Sequence, residues 1–382
     1  MSFSLYVHIP WCHSKCPYCD FNSYAASAWP EDAYVNALTR ELTHRAQESP
    51  YKGDLVRTIF FGGGTPSLFR PESIGRVIET AHRLFGIEPN AEVTLEANPG
   101  TVDEAKLAGM RAAGVNRISF GAQSFNDATL AFLGRIHRAE DTRVAARLAH
   151  RAGFEHLNLD LIFAVPGQTM RDVMTDIGEA AALDPDHISA YNLTFEEGTA
   201  FFADLRRGAI RQASGDEQAN MYAAVREELP RRGYAMYEIS NYARPGCESR
   251  HNLTYWRDET WLGIGAGAHS FAREASGGRR WWNERNPLRY LEQVSAAQTA
   301  EVGSERLDVA QAMGEFVFLN LRLRSGFALE DFRSRFGRTF DDVFGDRAQA
   351  MFEGGLLHAE AGRIRLTDRG IELADSVFAQ FV

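Results

Sequence analysis

Cys12, Cys16 and Cys19 stand in one run, Cys12-His-Ser-Lys-Cys16-Pro-Tyr-Cys19, directly after the apolar segment Leu5-Tyr-Val-His-Ile-Pro10. Thiolates are soft ligands that select zinc, copper(I) or iron-sulfur clusters, and a short loop can wrap three of them around one inorganic centre. The remaining cysteine is Cys247. A structural zinc site closes with four ligands, usually from two separated knuckles, and no second knuckle accompanies this one. A four-iron cluster held by three thiolates leaves one iron without a protein ligand, so the triplet predicts an iron-sulfur centre with an open coordination position. The alternative is a zinc loop with His13 as fourth ligand, a strained chelate because His13 adjoins Cys12. A disulfide does not suit a chain with few cysteines and no signal peptide.

Other polar groups recur where strand-like runs end. Phe60-Phe-Gly-Gly-Gly-Thr-Pro66 closes a strand with three glycines, which let backbone approach a small polar ligand, and it lacks the Gly-Lys-Ser/Thr of a phosphate loop. Glu96, Gln123 and Asp160 each sit at the exit of a strand, the face where barrel enzymes gather their ligands. The two acids suit hydroxyls or an ammonium, and Arg135 suits a carboxylate. Gly263-Ile-Gly-Ala-Gly-Ala-His269 resembles a dinucleotide fingerprint only superficially, because its third glycine is misplaced.

These residues need a scaffold, and the first half of the chain supplies one by alternation. Strand-like runs at Leu5 to Ile9, Thr58 to Phe61, Glu92 to Ala97, Arg117 to Gly121, Leu157 to Ile162 and His187 to Asn192 are separated by amphipathic helical stretches. Such βα units predict a parallel sheet with right-handed crossovers, doubly wound or barrel-shaped. Residues 196–300 hold a helix, a strand from Tyr234 to Ser240 and a loop-rich segment with many Gly, Asn and aromatics. Residues 301–382 are mainly helical with a closing strand at Gly362 to Thr367. Three parts are therefore expected: 1–195, 196–300 and 301–382, the last resembling a winged helix in a structural or lid role.

Composition narrows the function class. The chain has 382 residues, 45% hydrophobic and 24% charged, with a formal net charge of −10. That charge argues against a nucleic-acid partner. No apolar stretch reaches the roughly 18 residues that span a bilayer, so a cytoplasmic protein with at most peripheral membrane association is expected.

CxxxCxxC after a first strand, with an aromatic before the last cysteine, resembles the radical S-adenosylmethionine (SAM) superfamily. The resemblance implies a partial (β/α)6 barrel, a [4Fe-4S] cluster on Cys12, Cys16 and Cys19, and SAM chelated by the open iron. More narrowly, Tyr6-Val-His-Ile-Pro-Trp-Cys12, Cys16-Pro-Tyr-Cys19-Asp-Phe21, Phe61-Gly-Gly-Gly-Thr-Pro66, Gly121-Ala-Gln-Ser-Phe125, Asp160-Leu-Ile-Phe-Ala-Val-Pro-Gly-Gln168 and His251-Asn-Leu-Thr-Tyr-Trp256 are similar to the family containing oxygen-independent coproporphyrinogen III dehydrogenase and its heme-chaperone paralogues. By position, Tyr6, Tyr18, Gly63 and Glu96 are implied to contact cluster-bound SAM. Gly64, Thr65, Gln123, Arg135, Asp160 and Thr194 match a second SAM site of the dehydrogenase. Phe21 replaces the dehydrogenase's fourth cysteine, only five residues precede Tyr6, and His251-Asn-x-x-Tyr-Trp256 is the chaperone signature. The expectation is a heme carrier, with His251 as heme-binding residue, heme-accepting respiratory proteins as partners, and a monomer or a cluster-dependent homodimer; oxidative decarboxylation of coproporphyrinogen III is the alternative.

Overall fold

The computed structural model describes residues 2–48, 51–275 and 277–382. Six strands, β1 (Ser2–Ile9), β2 (Leu55–Gly63), β3 (Ile87–Ala97), β4 (Arg117–Gln123), β5 (His156–Phe163) and β6 (His187–Asn192), pair in parallel in that order. Between them run α1 (Glu31–Arg45), α2 (Pro71–Phe85), α3 (Glu104–Ala112), α4 (Asp127–Phe132), α5 (Ala139–Arg151) and α6 (Met170–Ala182). Local chemistry starts these helices. Asp103 and Asn126 accept from first-turn amides of α3 and α4, and Thr169 forms a capping box with Asp172 at α6.

Period-two alternation in β1 sorts its side chains. Phe3, Leu5, Val7 and Ile9 are buried in the main hydrophobic core, while Ser4, Tyr6 and His8 take the opposite face, inside the curve of the sheet, where Ser4 meets Thr254 and Tyr6 meets Phe60.

The second part of the chain extends both edges. After α7 (Ala200–Arg206) and α8 (Gly215–Arg231), the expected strand from Tyr234 to Ser240 proves to be a hairpin, β7 (Ala235–Glu238) and β8 (Asn241–Ala243), which pairs antiparallel with β6. The segment read as loop-rich contains a short helix, α9 (Arg250–Trp256), then β9 (Trp261–Ile264), β10 (His269–Arg273) and β11 (Gly278–Asn283), followed by α10 (Pro287–Ala297) and β12 (Glu301–Leu307). β9 runs parallel to β1 on its free side, so the parallel array has a seventh strand beyond the expected six. The complete order is β12-β11-β10-β9-β1-β2-β3-β4-β5-β6-β8-β7, an open sheet with antiparallel edges and hence a partial barrel.

The last part packs around its own phenylalanine core of Phe316, Phe327, Phe332, Phe336, Phe340 and Phe344. It comprises α11 (Val309–Leu321), β13 (Phe327–Ala328), α12 (Leu329–Phe336), α13 (Phe340–Glu353), β14 (Leu357–Glu360), β15 (Arg363–Leu366), α14 (Asp368–Glu372) and α15 (Ala374–Phe378). Helices followed by a small sheet of order β13-β15-β14 give the winged-helix-like form. Arg226 on α8 joins it to the barrel through Asp368 and Glu372, each at 3.0 Å. Among the described residues no helix is long and apolar enough to cross a membrane.

Candidate functional site

The thiol loop leaves the carboxyl end of β1 and is fixed mainly by backbone. Trp11–Cys12 pairs with Tyr24–Ala25, the Ala26 amide donates to the Cys12 carbonyl at 2.9 Å, and the Cys19 amide to the Cys16 carbonyl at 3.1 Å. Lys15 Nζ ties the loop together, donating to the carbonyls of Phe21 and Ser23 at 3.2 and 3.1 Å. His8 supports it from the strand. Its Nε2 donates to the Asn22 carbonyl at 2.9 Å, which leaves Nδ1 to accept from the Tyr6 hydroxyl at 3.0 Å. Burial holds His8 neutral, with its pKa lowered to about 4.

None of the three cysteines is disulfide-bonded. Burial pushes Cys12 and Cys19 above the usual thiol range, and a cationic inorganic centre reverses that cost by taking the thiolate. Among the described residues, the one trio of His, Cys, Asp or Glu donors lying within 4.8 Å of one another is His156, Asp186 and Cys247. Arg135 backs the loop: Nη1 donates to Cys16 Sγ at 3.4 Å and Nη2 to the Gly121 carbonyl at 2.9 Å.

The triple-glycine turn lies directly beside this loop. The Gly64 amide donates to the Ile9 carbonyl at 2.7 Å and the Thr65 amide to the Trp11 carbonyl at 2.9 Å. Gly63 has φ +114°, and a Cβ there would stand 2.5 Å from the His8 ring; its amide instead donates to Glu96 Oε2 at 3.2 Å. Only glycine meets both demands.

Tyr18, Cys19, Glu96, Gln123, Asp160 and Thr194 line one cavity of about 880 Å3 at the barrel mouth. Burial and then the charge of Asp160 raise Glu96 to about 8. Burial also raises Asp160, although Ser119 and Asn158 donate to its carboxylate at 3.0 and 2.8 Å. Two buried acids so poised favour a ligand that brings positive charge, such as an ammonium or sulfonium. Tyr6 lies deeper, its ring 6.2 Å from that of Phe60.

Sequence reasoning missed the far wall of this cavity. Tyr222, Arg322 and the stretch Ile371 to Ser376 close it from α8 and the last part of the chain. Nothing local in those segments marks them, because their role follows from docking of one part on another.

His251 is placed elsewhere. It sits on α9 rather than on a loop, at the floor of the barrel, fully buried. Its Nδ1 is 2.7 Å from Thr58 Oγ1, its Nε2 is 2.9 Å from the Tyr255 hydroxyl, and its ring stacks on Phe60 at 5.0 Å. Burial lowers its pKa to about 3. Glu92 on β3 anchors the start of α9, accepting the amides of Arg250 and His251 at 3.0 and 2.9 Å. Tyr255 and Trp256 are packed as well, against Trp261 and beneath Arg322. Gly263 and Gly265 make room for the His269 and His8 carbonyls.

The profile of the radical SAM superfamily matches residues 6–179, and that of the HemN C-terminal domain matches residues 307–373. The chain is 35% identical to the heme chaperone HemW of Bacillus subtilis over 99% of both chains. It is 41% identical to the heme chaperone HemW of Escherichia coli over 70% of this chain and 69% of that one. Among solved structures it matches coproporphyrinogen III oxidase (HemN) from Escherichia coli, a radical SAM enzyme, with a TM-score of 0.85 and 25% identity, covering 100% of this chain and 90% of that one.

Proposed function

The chain belongs to the HemW family of radical SAM proteins, and from that premise we propose that it binds heme in the cytoplasm and passes it to respiratory acceptor proteins. Residues 1–195 serve as the cluster-binding barrel, 196–300 as its extension and 301–382 as a lid. Cys12, Cys16 and Cys19 would hold a [4Fe-4S] cluster, which would supply an open position for SAM. Tyr6, Tyr18, Gly63 and Glu96 surround that SAM. Arg135 holds the Cys16 thiolate, and Gly64 and Thr65 keep the loop in register; Gln123, Asp160 and Thr194 extend the polar wall of the cavity.

The observation that carries the chaperone reading over the dehydrogenase is Phe21. It stands where the dehydrogenase pattern has a cysteine, is 63% exposed, and lines the cavity next to Cys19, so the rim offers a ring in place of a thiol. Likeness in fold to the dehydrogenase speaks for a common scaffold, not a common reaction. His251 is the heme-binding residue in this reading, and because both its ring nitrogens are engaged, ligation requires α9 to lift from the barrel floor.

Anaerobic, cluster-loaded protein given SAM and coproporphyrinogen III is expected to form no protoporphyrinogen IX, yet to bind heme and surrender it to an apo-acceptor. Catalytic formation of protoporphyrinogen IX, or failure to bind heme, overturns the proposal.

A further inference from the structure

At the end of the barrel opposite the thiol loop, the described residues hold a second group of metal-type ligands. His156 opens β5, Asp186 immediately precedes β6, and Cys247 lies in the connection between β8 and α9. One donor atom from each falls within 4.8 Å of the others, and all three residues are half-buried. Cys247 Sγ and Asp186 Oδ1 are 3.9 Å apart. Zinc bonds of about 2.0–2.3 Å set tetrahedral ligands roughly 3.3–3.8 Å from one another, so a small rotamer adjustment closes the group on one ion.

The supporting backbone is already in place. The other Asp186 oxygen accepts the Leu157 amide at 3.1 Å. The Asp186 carbonyl accepts the Arg244 amide at 2.9 Å, and the Arg244 carbonyl accepts the Cys247 amide at 2.9 Å. Arg117 then donates to the Cys247 carbonyl at 2.8 Å. Asp186 and Cys247 are thus held to each other through main chain as well as through side chains. His156 adds an imidazole whose Nδ1 is shut off from solvent and has no hydrogen-bond partner. One of the two ring nitrogens lies within 4.8 Å of the thiol and carboxylate donors, and a ring with an unpaired nitrogen in such a group is the arrangement expected where an ion completes the polar contacts.

We propose that His156, Asp186 and Cys247 form a second metal site, for a divalent cation of borderline softness such as zinc. Thiolate, imidazole and carboxylate together select that class over magnesium or calcium, and three protein ligands leave one coordination position open. The site stitches the connection before α9 to the start of two barrel strands, so metal occupancy stiffens the segment that leads into His251.

The test uses cluster-loaded protein, in which the loop thiols are already occupied. After anaerobic dialysis against zinc and removal of loosely bound ion with a weak chelator, iron and zinc are measured together. The wild type is expected to retain about one zinc per chain and Cys247→Ser none, with equal iron in both. Zinc retention by Cys247→Ser at the wild-type level, or none in the wild type, overturns the proposal. His156→Gln provides an independent variant at a half-exposed position: zinc affinity by chelator competition should fall about tenfold or more, and an unchanged affinity likewise overturns it.

Discussion

Glu92→Gln tests whether α9 is a latch over His251. One carboxylate oxygen takes the His251 amide at 2.9 Å, and the other takes the Arg250 amide and Arg117 Nε, both at 3.0 Å. The Glu92 and Arg117 side chains are 5% and 3% exposed, so solvent screens this network little. Gln keeps one acceptor oxygen and turns an amide donor toward whichever donors remain. Removing one partner of a buried ion pair costs about 3–5 kcal/mol. The loss of one charge-assisted bond to α9 costs about 1.5–3 kcal/mol. The second figure is contained in the first, because one carboxylate makes all the contacts.

Heme binding turns that cost into a gain. If His251 reaches iron only when α9 lifts, the dissociation constant scales inversely with the open fraction, which rises tenfold for every 1.4 kcal/mol removed from docking. Glu92→Gln should therefore bind heme about 10- to 150-fold more tightly while unfolding more easily. Heme titration followed at the Soret band, with urea unfolding in parallel, measures both. Unchanged or weaker heme binding in a destabilised variant refutes the latch. Stability within about 0.5 kcal/mol of the parent refutes the anchoring role. The double variant Glu92→Met with Arg117→Met should recover much of the stability, since an apolar pair replaces a buried charge pair, while its heme affinity stays near that of the single variant.

Gly63→Ala combines a left-handed φ of +114° with a Cβ placed 2.5 Å from the His8 ring. Strain and overpacking of about 1–3 kcal/mol each should lower the urea midpoint, and a midpoint equal to the parent's would show that the turn does not need glycine. His251→Gln addresses pH. The folded-state pKa of about 3 lies below the unfolded value of about 6.5, so the unfolded chain binds the extra proton. Stability from neutral His251 is present above pH 6.5 and is lost as pH falls toward the folded value. Between about pH 6 and 4 the variant's stability should fall less steeply than the parent's by about 1.4 kcal/mol per pH unit, and parallel curves in urea unfolding would contradict the burial of His251.

The contrast between the two ends of the barrel explains what could be read from sequence. The thiol loop, the glycine turn and the polar strand ends are local, because a parallel strand delivers its last residue to one face by period-two alternation alone. Cys12, Gly63, Glu96 and Asp160 were legible for that reason, and the cavity gathers Tyr18, Cys19, Glu96, Gln123, Asp160 and Thr194. The floor obeys no such rule. α9 has only seven residues and a Ser249 cap, too short for helical periodicity to stand out from Gly-, Asn- and aromatic-rich surroundings, and it is anchored further by Glu92, more than 150 positions away in the chain. β9 hides likewise inside a glycine-rich run and is a strand because β1 offers it an edge. A histidine within an aromatic signature reads as a ligand on a loop, but a carboxylate beneath the helix start makes it a packed core residue with both nitrogens satisfied. In the proposed reading, motif and burial both hold for His251 only if the helix lifts, and the Glu92 anchor would then set how often.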